Sequence, residues 1–192
     1  MLLTQDEHLP TAKLCAPPWT VQGSGYVVLL RAGQLSDDEL FVPPSLRGKR
    51  HGETLSLLFF DYASTACGPY RELIVAAVFD FAEGAFSSIT RAYTSTHDAV
   101  ANSRHHWGTP KDHAEIAVER PSDKRDQVVV RREGHVVAEL DLEHSGLSIP
   151  VTTSVLPADL RTMVQHWRGE QYSLTLNAKG KMRLAKLKRA NF

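Results

Sequence analysis

The stretch Arg104-His105-His106-Trp107-Gly108-Thr109-Pro110-Lys111-Asp112-His113-Ala114-Glu115-Ile116 changes period in its middle, and that change decides the fold class. Residues 96–107 read as an α-helix. Thr96 can cap it, Asp98 sits in its first turn, and Arg104, His105 and His106 crowd its last turn, where cations answer the helix dipole. Gly108 is the stop signal. Beyond the corner, residues 113–119 alternate, with Ala114, Ile116 and Val118 on one face of a strand. Gly108 and Pro110 punctuate the chain between the two elements, so Lys111 stands at a fixed corner rather than on a loose loop. An amine held in this way can be aimed at one point in space, which nucleophilic chemistry requires.

Working outward, residues 70–81 are apolar on both faces after the opening Arg71 and Glu72, the pattern of a strand covered on both sides. Residues 54–62 and 86–95 read as strands on either side of it, and the turn at Glu83-Gly84 favours antiparallel pairing. Residues 26–31 form a further buried strand after Gly23-Ser-Gly25. Pro10, Pro17 and Pro18 make residues 1–20 irregular. Ser36-Asp-Asp-Glu39 caps one helical turn that Pro43 and Pro44 stop, and residues 48–52 are a turn. On the C-terminal side, residues 127–131 and 135–142 form a hairpin through Glu133-Gly134, and residues 147–153 are a strand broken by Pro150. A second helix is predicted between Pro157 and Gly169, with Leu160, Met163, Val164 and Trp167 on one face. Residues 172–178 and 181–187 would close the chain as a hairpin around Lys179-Gly180. The expectation is one α+β domain over residues 1–192, mainly antiparallel β, with two short helices.

Charge and composition narrow the function. The chain has 22 basic and 22 acidic side chains, so no global field favours nucleic acid or a membrane surface. No apolar run approaches a membrane span, and Met1-Leu-Leu runs at once into Thr4, Gln5, Asp6 and Glu7, which leaves no secretory core. Cys15 and Cys67 form no CxxC. A cytoplasmic location is expected. From Lys179 onward there are six basic residues and no acidic one, a pattern that protects a sheet edge. The nine histidines include the adjacent His105 and His106, which point about 100° apart on a helix and are poor co-ligands. No HxxxH or HExxH occurs, and no metal is expected.

Three motifs resemble the acetoacetate decarboxylase family. Trp107-Gly-Thr-Pro-Lys111, preceded by Asn102-Ser-Arg104 and followed by Ala114-Glu-Ile116, looks like that family's active-site segment. Gly68-Pro-Tyr-Arg-Glu72 and Ile89-Thr-Arg-Ala-Tyr93 precede it in the same order as in smaller members. Pro17-Pro-Trp19, Gly23-Ser-Gly-Tyr26 and Gly180-Lys-Met-Arg-Leu184 fit more loosely. The resemblance implies antiparallel sheets wrapped into a cone-like β-barrel, no cofactor, a homo-oligomer (a dimer or multiple of dimers) and a small keto acid or carbonyl ligand. It implies a Schiff base at Lys111 and a proton-shuttling or positioning carboxylate at Glu72. The reaction would be decarboxylation of a β-keto acid, or a related aldol and dehydration reaction. The alternative is a non-catalytic binding domain on the same scaffold.

Two departures from the family pattern bear on this reading. The residue after the nucleophile is Asp112 where the well-studied decarboxylases carry a second lysine. The arginine that holds the substrate carboxylate in those enzymes has no counterpart in Gly23-Ser-Gly25. Arg71, Arg91 and Arg104 are the candidates to replace it, and Trp107 and His113 complete the candidate binding set. A lysine titrates near 10.4 in water, so a reactive Lys111 must be buried where desolvation favours the neutral amine. Strand alternation directs Asp112 to the opposite face. It also groups Lys111 with His113 and Glu115, so either the pocket walls come largely from other strands, from the Ile74 face or the Leu73 face, or the chain twists at Pro110.

Overall fold

The computed structural model describes residues 12–33 and 35–191; the irregular segment's first part, residues 1–11, lies outside the described residues. The strands are β1 (Gln22–Arg31), β2 (Arg50–Ser64), β3 (Tyr70–Phe81), β4 (Gly84–Thr94) and β5 (Lys111–His113). They continue with β6 (Glu115–Ser122), β7 (Arg125–Arg132), β8 (His135–His144) and β9 (Ile149–Thr152), then β10 (Thr162–Trp167), β11 (Glu170–Thr175), β12 (Lys179–Met182) and β13 (Ala185–Asn191). One α-helix, α1 (His97–Trp107), joins β4 to β5. The chain divides into two compact units, one running up to His113 and resuming over Thr162–Thr175, the other built from the remainder.

The first unit is a seven-stranded sheet in the order β1-β2-β3-β4-β10-β11, with β5 also paired to β4. Strand β3 sits in the middle of the sheet, and its burial on both faces follows from that position. The β3–β4 hairpin closes at Phe81 and Gly84, as the Glu83-Gly84 signal implies. Strands β5 and β10 both run parallel to β4. One apolar cluster gathers Ile74, Ala76, Ile89, Ala92 and Met163, and another gathers Leu40, Val42, Leu46, Leu55 and Phe79.

The second unit holds a four-stranded antiparallel sheet, β13-β8-β7-β6, and the separate pair β12-β9. Val128, Val130, Ala138, Leu140 and Leu142 form the buried face of its central strands. The β7–β8 turn is the two residues Glu133 and Gly134, both with positive φ (51° and 80°), the backbone that matches the twist of a tight hairpin. The basic strand β13 lies at the sheet's edge, where charged side chains discourage further pairing.

Four expectations are corrected. Residues 26–31 are a strand but not a buried one, because they lie in edge strand β1, where Val27 and Leu29 are exposed. The predicted second helix is a single 3-10 turn, Asp159–Arg161, followed by strand β10. Met163, Val164 and Trp167 are buried, as core positions should be, but Leu160 is exposed. The turn Arg168-Gly169, with φ of 52° and 84°, is the connection of the β10–β11 hairpin, and pairing with β4 outweighs the helical spacing. The closing hairpin around Lys179-Gly180 does not form either. Strand β11 pairs with β10, β12 with β9 and β13 with β8, because partners distant in sequence supply the ladders. Finally, no closed barrel is found among the described strands. Closure needs a continuous hydrogen-bonded path back to the first strand, whereas this path ends at β1 and β11 and the other strands form separate sheets.

Candidate active site

The lysine corner forms as its residues dictate. Thr96 is extended and its hydroxyl accepts from the Ala99 N–H, while Gly108 ends α1 in the left-handed region and donates back to the Arg104 carbonyl. Glycine is required there twice over. Its φ is 58°, and a Cβ would stand 2.6 Å from Tyr172 Cδ2 and 2.7 Å from Trp167 Cβ. Thr109 N–H then donates to the Ser103 carbonyl, Lys111 N–H to the Thr109 carbonyl, and Ala92 N–H to the Pro110 carbonyl. The corner is thus tied to both the helix and strand β4, and Thr109, Lys111 and Asp112 are all buried.

A β-bulge sets which side chains meet Lys111. Val75 pairs with Arg91 but Ala76 pairs with Ile89, so Thr90 is an extra residue in β4. Below it the register pairs Ile74 with Ala92 and Glu72 with Thr94, and β5 pairs Lys111 with Ala92 and His113 with Thr94. Paired residues project to the same side of a sheet, so Tyr70, Glu72, Ile74, Ala92, Thr94, Lys111 and His113 share one face. Of the two walls left open by alternation, the Ile74 face is the one beside Lys111.

On that face the Lys111 ammonium donates to Glu72 Oε2 and, at 2.9 Å, to Ser103 Oγ from α1. Its Nζ stands 5.7 Å from the centre of the Tyr70 ring. Lys111 and Glu72 are only 5% and 4% exposed. A buried pair of this kind is kept in place by its geometry and its additional hydrogen bonds rather than by Coulomb attraction alone. Burial, and secondarily the Glu72 charge, push the Tyr62 and Tyr70 phenols far above their usual range, so both stay neutral donors. Tyr70 is also hydrogen-bonded to Glu72. Burial likewise raises the Cys67 thiol, against the lowering effect of its hydrogen bond with Thr65.

The three candidate arginines are elsewhere. Arg71 lies on the opposite face of β3, with Nε 3.3 Å from Asp61 Oδ1. Arg91 and Arg104 converge on Asp112, which faces away from the amine: Arg91 Nη2 is 3.0 Å from Oδ2 and Arg104 Nη2 is 2.7 Å from Oδ1. Arg104 Nε also donates to the Lys111 carbonyl at 2.8 Å. The Arg91 guanidinium lies over Phe41 and Tyr93, 4.9 and 4.8 Å from their ring centres. Asp112 therefore has a structural counterpart for its charge, the buried Arg91 and the largely buried Arg104. No arginine side chain stands at Gly23 or Gly25, and none can be added there, since a Cβ would come within 2.3 Å of the Asp61 carbonyl oxygen and 2.2 Å of that of Phe59.

Of the remaining candidates, Trp107 packs edge-on against Trp19, with ring centres 4.8 Å apart. His113 stacks on His97 at 4.0 Å. The sequence reading missed Ser103 and Tyr70. Tyr70 was legible, two residues from Glu72 on a strand, whereas Ser103 required knowing how α1 docks. A cavity of about 860 Å³ opens between Phe41, Pro44, Ile89, Pro110, Trp167 and Arg168, and neither Lys111 nor Glu72 lines it. Lys111 marks the candidate site better than the volume does, because there, among the described residues, a buried amine, a carboxylate and neutral donors meet.

No helix of the described residues is long and apolar enough to cross a membrane. Among solved structures, acetoacetate decarboxylase from Legionella pneumophila matches with a TM-score of 0.62 at 11% identity, over 97% of this chain and 79% of that one. A second acetoacetate decarboxylase structure gives 0.59 at 15%, over 93% and 90%. The enduracididine biosynthesis enzyme MppR in complex with pyruvate gives 0.56 at 16%, over 83% of this chain and 66% of that one. No curated protein matches the sequence significantly. At these identities the structures establish a shared fold, while the acetoacetate decarboxylase family model matches residues 39–177, which include the lysine corner and the strand bearing Glu72. By that match, the chain belongs to the acetoacetate decarboxylase family.

Proposed function

We propose that this protein is a Schiff-base-forming lyase that acts on a small keto acid through Lys111. The observation that carries the reading is a buried amine hydrogen-bonded to both a carboxylate and a hydroxyl. Substrate entry displaces part of this pairing, and Glu72 takes one proton from the ammonium. The neutral amine attacks the ketone carbon, forming the N–C bond while the carbonyl electrons move to oxygen. A proton passes from nitrogen to that oxygen, giving a carbinolamine. Glu72 returns its proton to the hydroxyl, water leaves and an iminium forms. The iminium then accepts the electron pair of the breaking C–C bond as carbon dioxide departs, or, in an aldol-type reaction, of an α C–H bond whose proton passes to the Glu72 carboxylate. Either enamine is reprotonated or adds to a second carbonyl, and water releases Lys111. Nothing in these steps calls for a cofactor.

A homo-oligomer belongs to the same reading, supported by Val27 and Leu29, which are 65% and 68% exposed on edge strand β1. A non-catalytic binding domain is the second reading, favoured by the placement of Arg71, Arg91 and Arg104 away from the Lys111 face. Incubation with pyruvate or acetoacetate and borohydride, followed by peptide mass spectrometry, separates the two. The lyase reading requires a reduced adduct on Lys111 that Lys111→Ala abolishes. Saturable binding without any adduct would refute it in favour of the binding domain.

A further inference from the structure

We infer that Thr94 holds, through its hydroxyl, the substrate oxygen on the carbon that Lys111 attacks; this rests on the Schiff-base reading above. Thr94 is fully buried, and its Oγ1 has no hydrogen-bond partner among the described residues. A buried hydroxyl left unpaired is destabilising, so its place in the sheet matters. Thr94 pairs with Glu72 on one side and with His113 on the other. Directly paired residues have Cβ atoms about 5 Å apart, and the Lys111 amine meets Glu72 in this same row. The neighbouring polar groups are already engaged, Ser103 Oγ by the amine and Tyr70 by Glu72. Thr94 is left with a donor and no acceptor.

Attack by the amine creates such an acceptor. As the N–C bond forms, the carbonyl electron pair collects on oxygen, and a hydroxyl already fixed in the sheet can donate to it without rearrangement. Thr94 transfers no proton. It donates a hydrogen bond to the oxygen through the carbinolamine, until Glu72 protonates that oxygen and it leaves as water. The unpaired hydroxyl costs stability in the empty protein and is satisfied only when a carbonyl substrate is bound.

Thr94→Val and Thr94→Ser test this, by the rate of borohydride-trapped adduct with pyruvate and acetoacetate and by thermal unfolding. Valine keeps the shape and removes the orphan donor. We expect it to slow adduct formation about a hundredfold or more, the effect of losing one oxyanion donor, with a melting temperature equal to or above wild type. Serine should stay within a few-fold of the wild-type rate. A valine variant that traps substrate at the wild-type rate overturns the assignment and leaves the Schiff-base reading intact. Equal loss of rate in both variants with lower melting temperatures would show a packing role and also overturn it. Absence of an adduct in the wild type would overturn the Schiff-base reading, and this assignment with it.

Discussion

Replacing Asp112 with Asn tests whether this carboxylate is part of the protein's framework. Asp112 is fully buried, and it answers Arg91, whose side chain is 3% exposed, and Arg104, at 10%. With Asp112 ionised the cluster carries two cations and one anion; the neutral amide leaves the two cations with no counter-charge. Arg91 has little else to fall back on, since its Nε and Nη1 find no hydrogen-bond partner among the described residues. Breaking a buried ion pair by removing one partner costs about 3–5 kcal/mol. At about 2–4 °C per kcal/mol for a chain of this size, the melting temperature should fall by roughly 6–20 °C. The control is Glu53→Gln, which breaks the Arg31–Glu53 pair, 82% and 51% exposed, and should cost at most about 1 kcal/mol. Thermal and urea unfolding of the three proteins give the comparison. If Asp112→Asn melts within the shift of Glu53→Gln, the buried cluster does not stabilise the fold as described. The Arg104 bond to the Lys111 carbonyl adds a second readout, slower adduct formation as the corner loosens.

Glu72→Gln should stay folded at lower stability, because it unpairs the buried Lys111 amine, and should lower turnover about a hundredfold or more, as loss of a positioned acid–base group does; an effect confined to KM would make Glu72 a binding residue only. Gly108→Ala should destabilise by more than about 1 kcal/mol and by more than Gly169→Ala. Both positions have positive φ, but only at Gly108 would the new methyl strike neighbouring side chains; equal losses would remove the packing contribution. The phenols of Tyr62 and Tyr70 titrate higher in the folded protein than in the unfolded chain, mainly through burial. Their contribution is therefore complete below about pH 10 and declines above it, by up to about 1.4 kcal/mol per pH unit for each phenol. Phenolate absorbance during alkaline unfolding should show these two groups ionising only as the chain unfolds, and Tyr62→Phe should flatten the stability loss. Ionisation of both before unfolding would contradict their burial.

Much of the first unit was legible in the chain. The Thr96 cap and the Gly108 stop bound α1, because capping chemistry is local and these residues supply it themselves. The doubly apolar run of residues 70–81 is a central strand, and Gly108-Thr-Pro-Lys111 is a buried corner. The spacing of Leu160, Met163, Val164 and Trp167 marked three of four core positions but assigned them the wrong element, since apolar residues three and four apart do not reveal whether a strand lies ready to pair with them. The final strands were mispaired for the same reason: each finds its ladder with a segment distant in sequence. At the site, residue types and motif resemblance singled out Lys111 and Glu72. That Arg71 and Arg91 do not reach the amine was settled by sheet register and the bulge at Thr90, which turn them to one side and Glu72, Thr94 and Lys111 to the other. That choice of face depends on hydrogen bonds between strands far apart in the chain, so only the tertiary structure could make it.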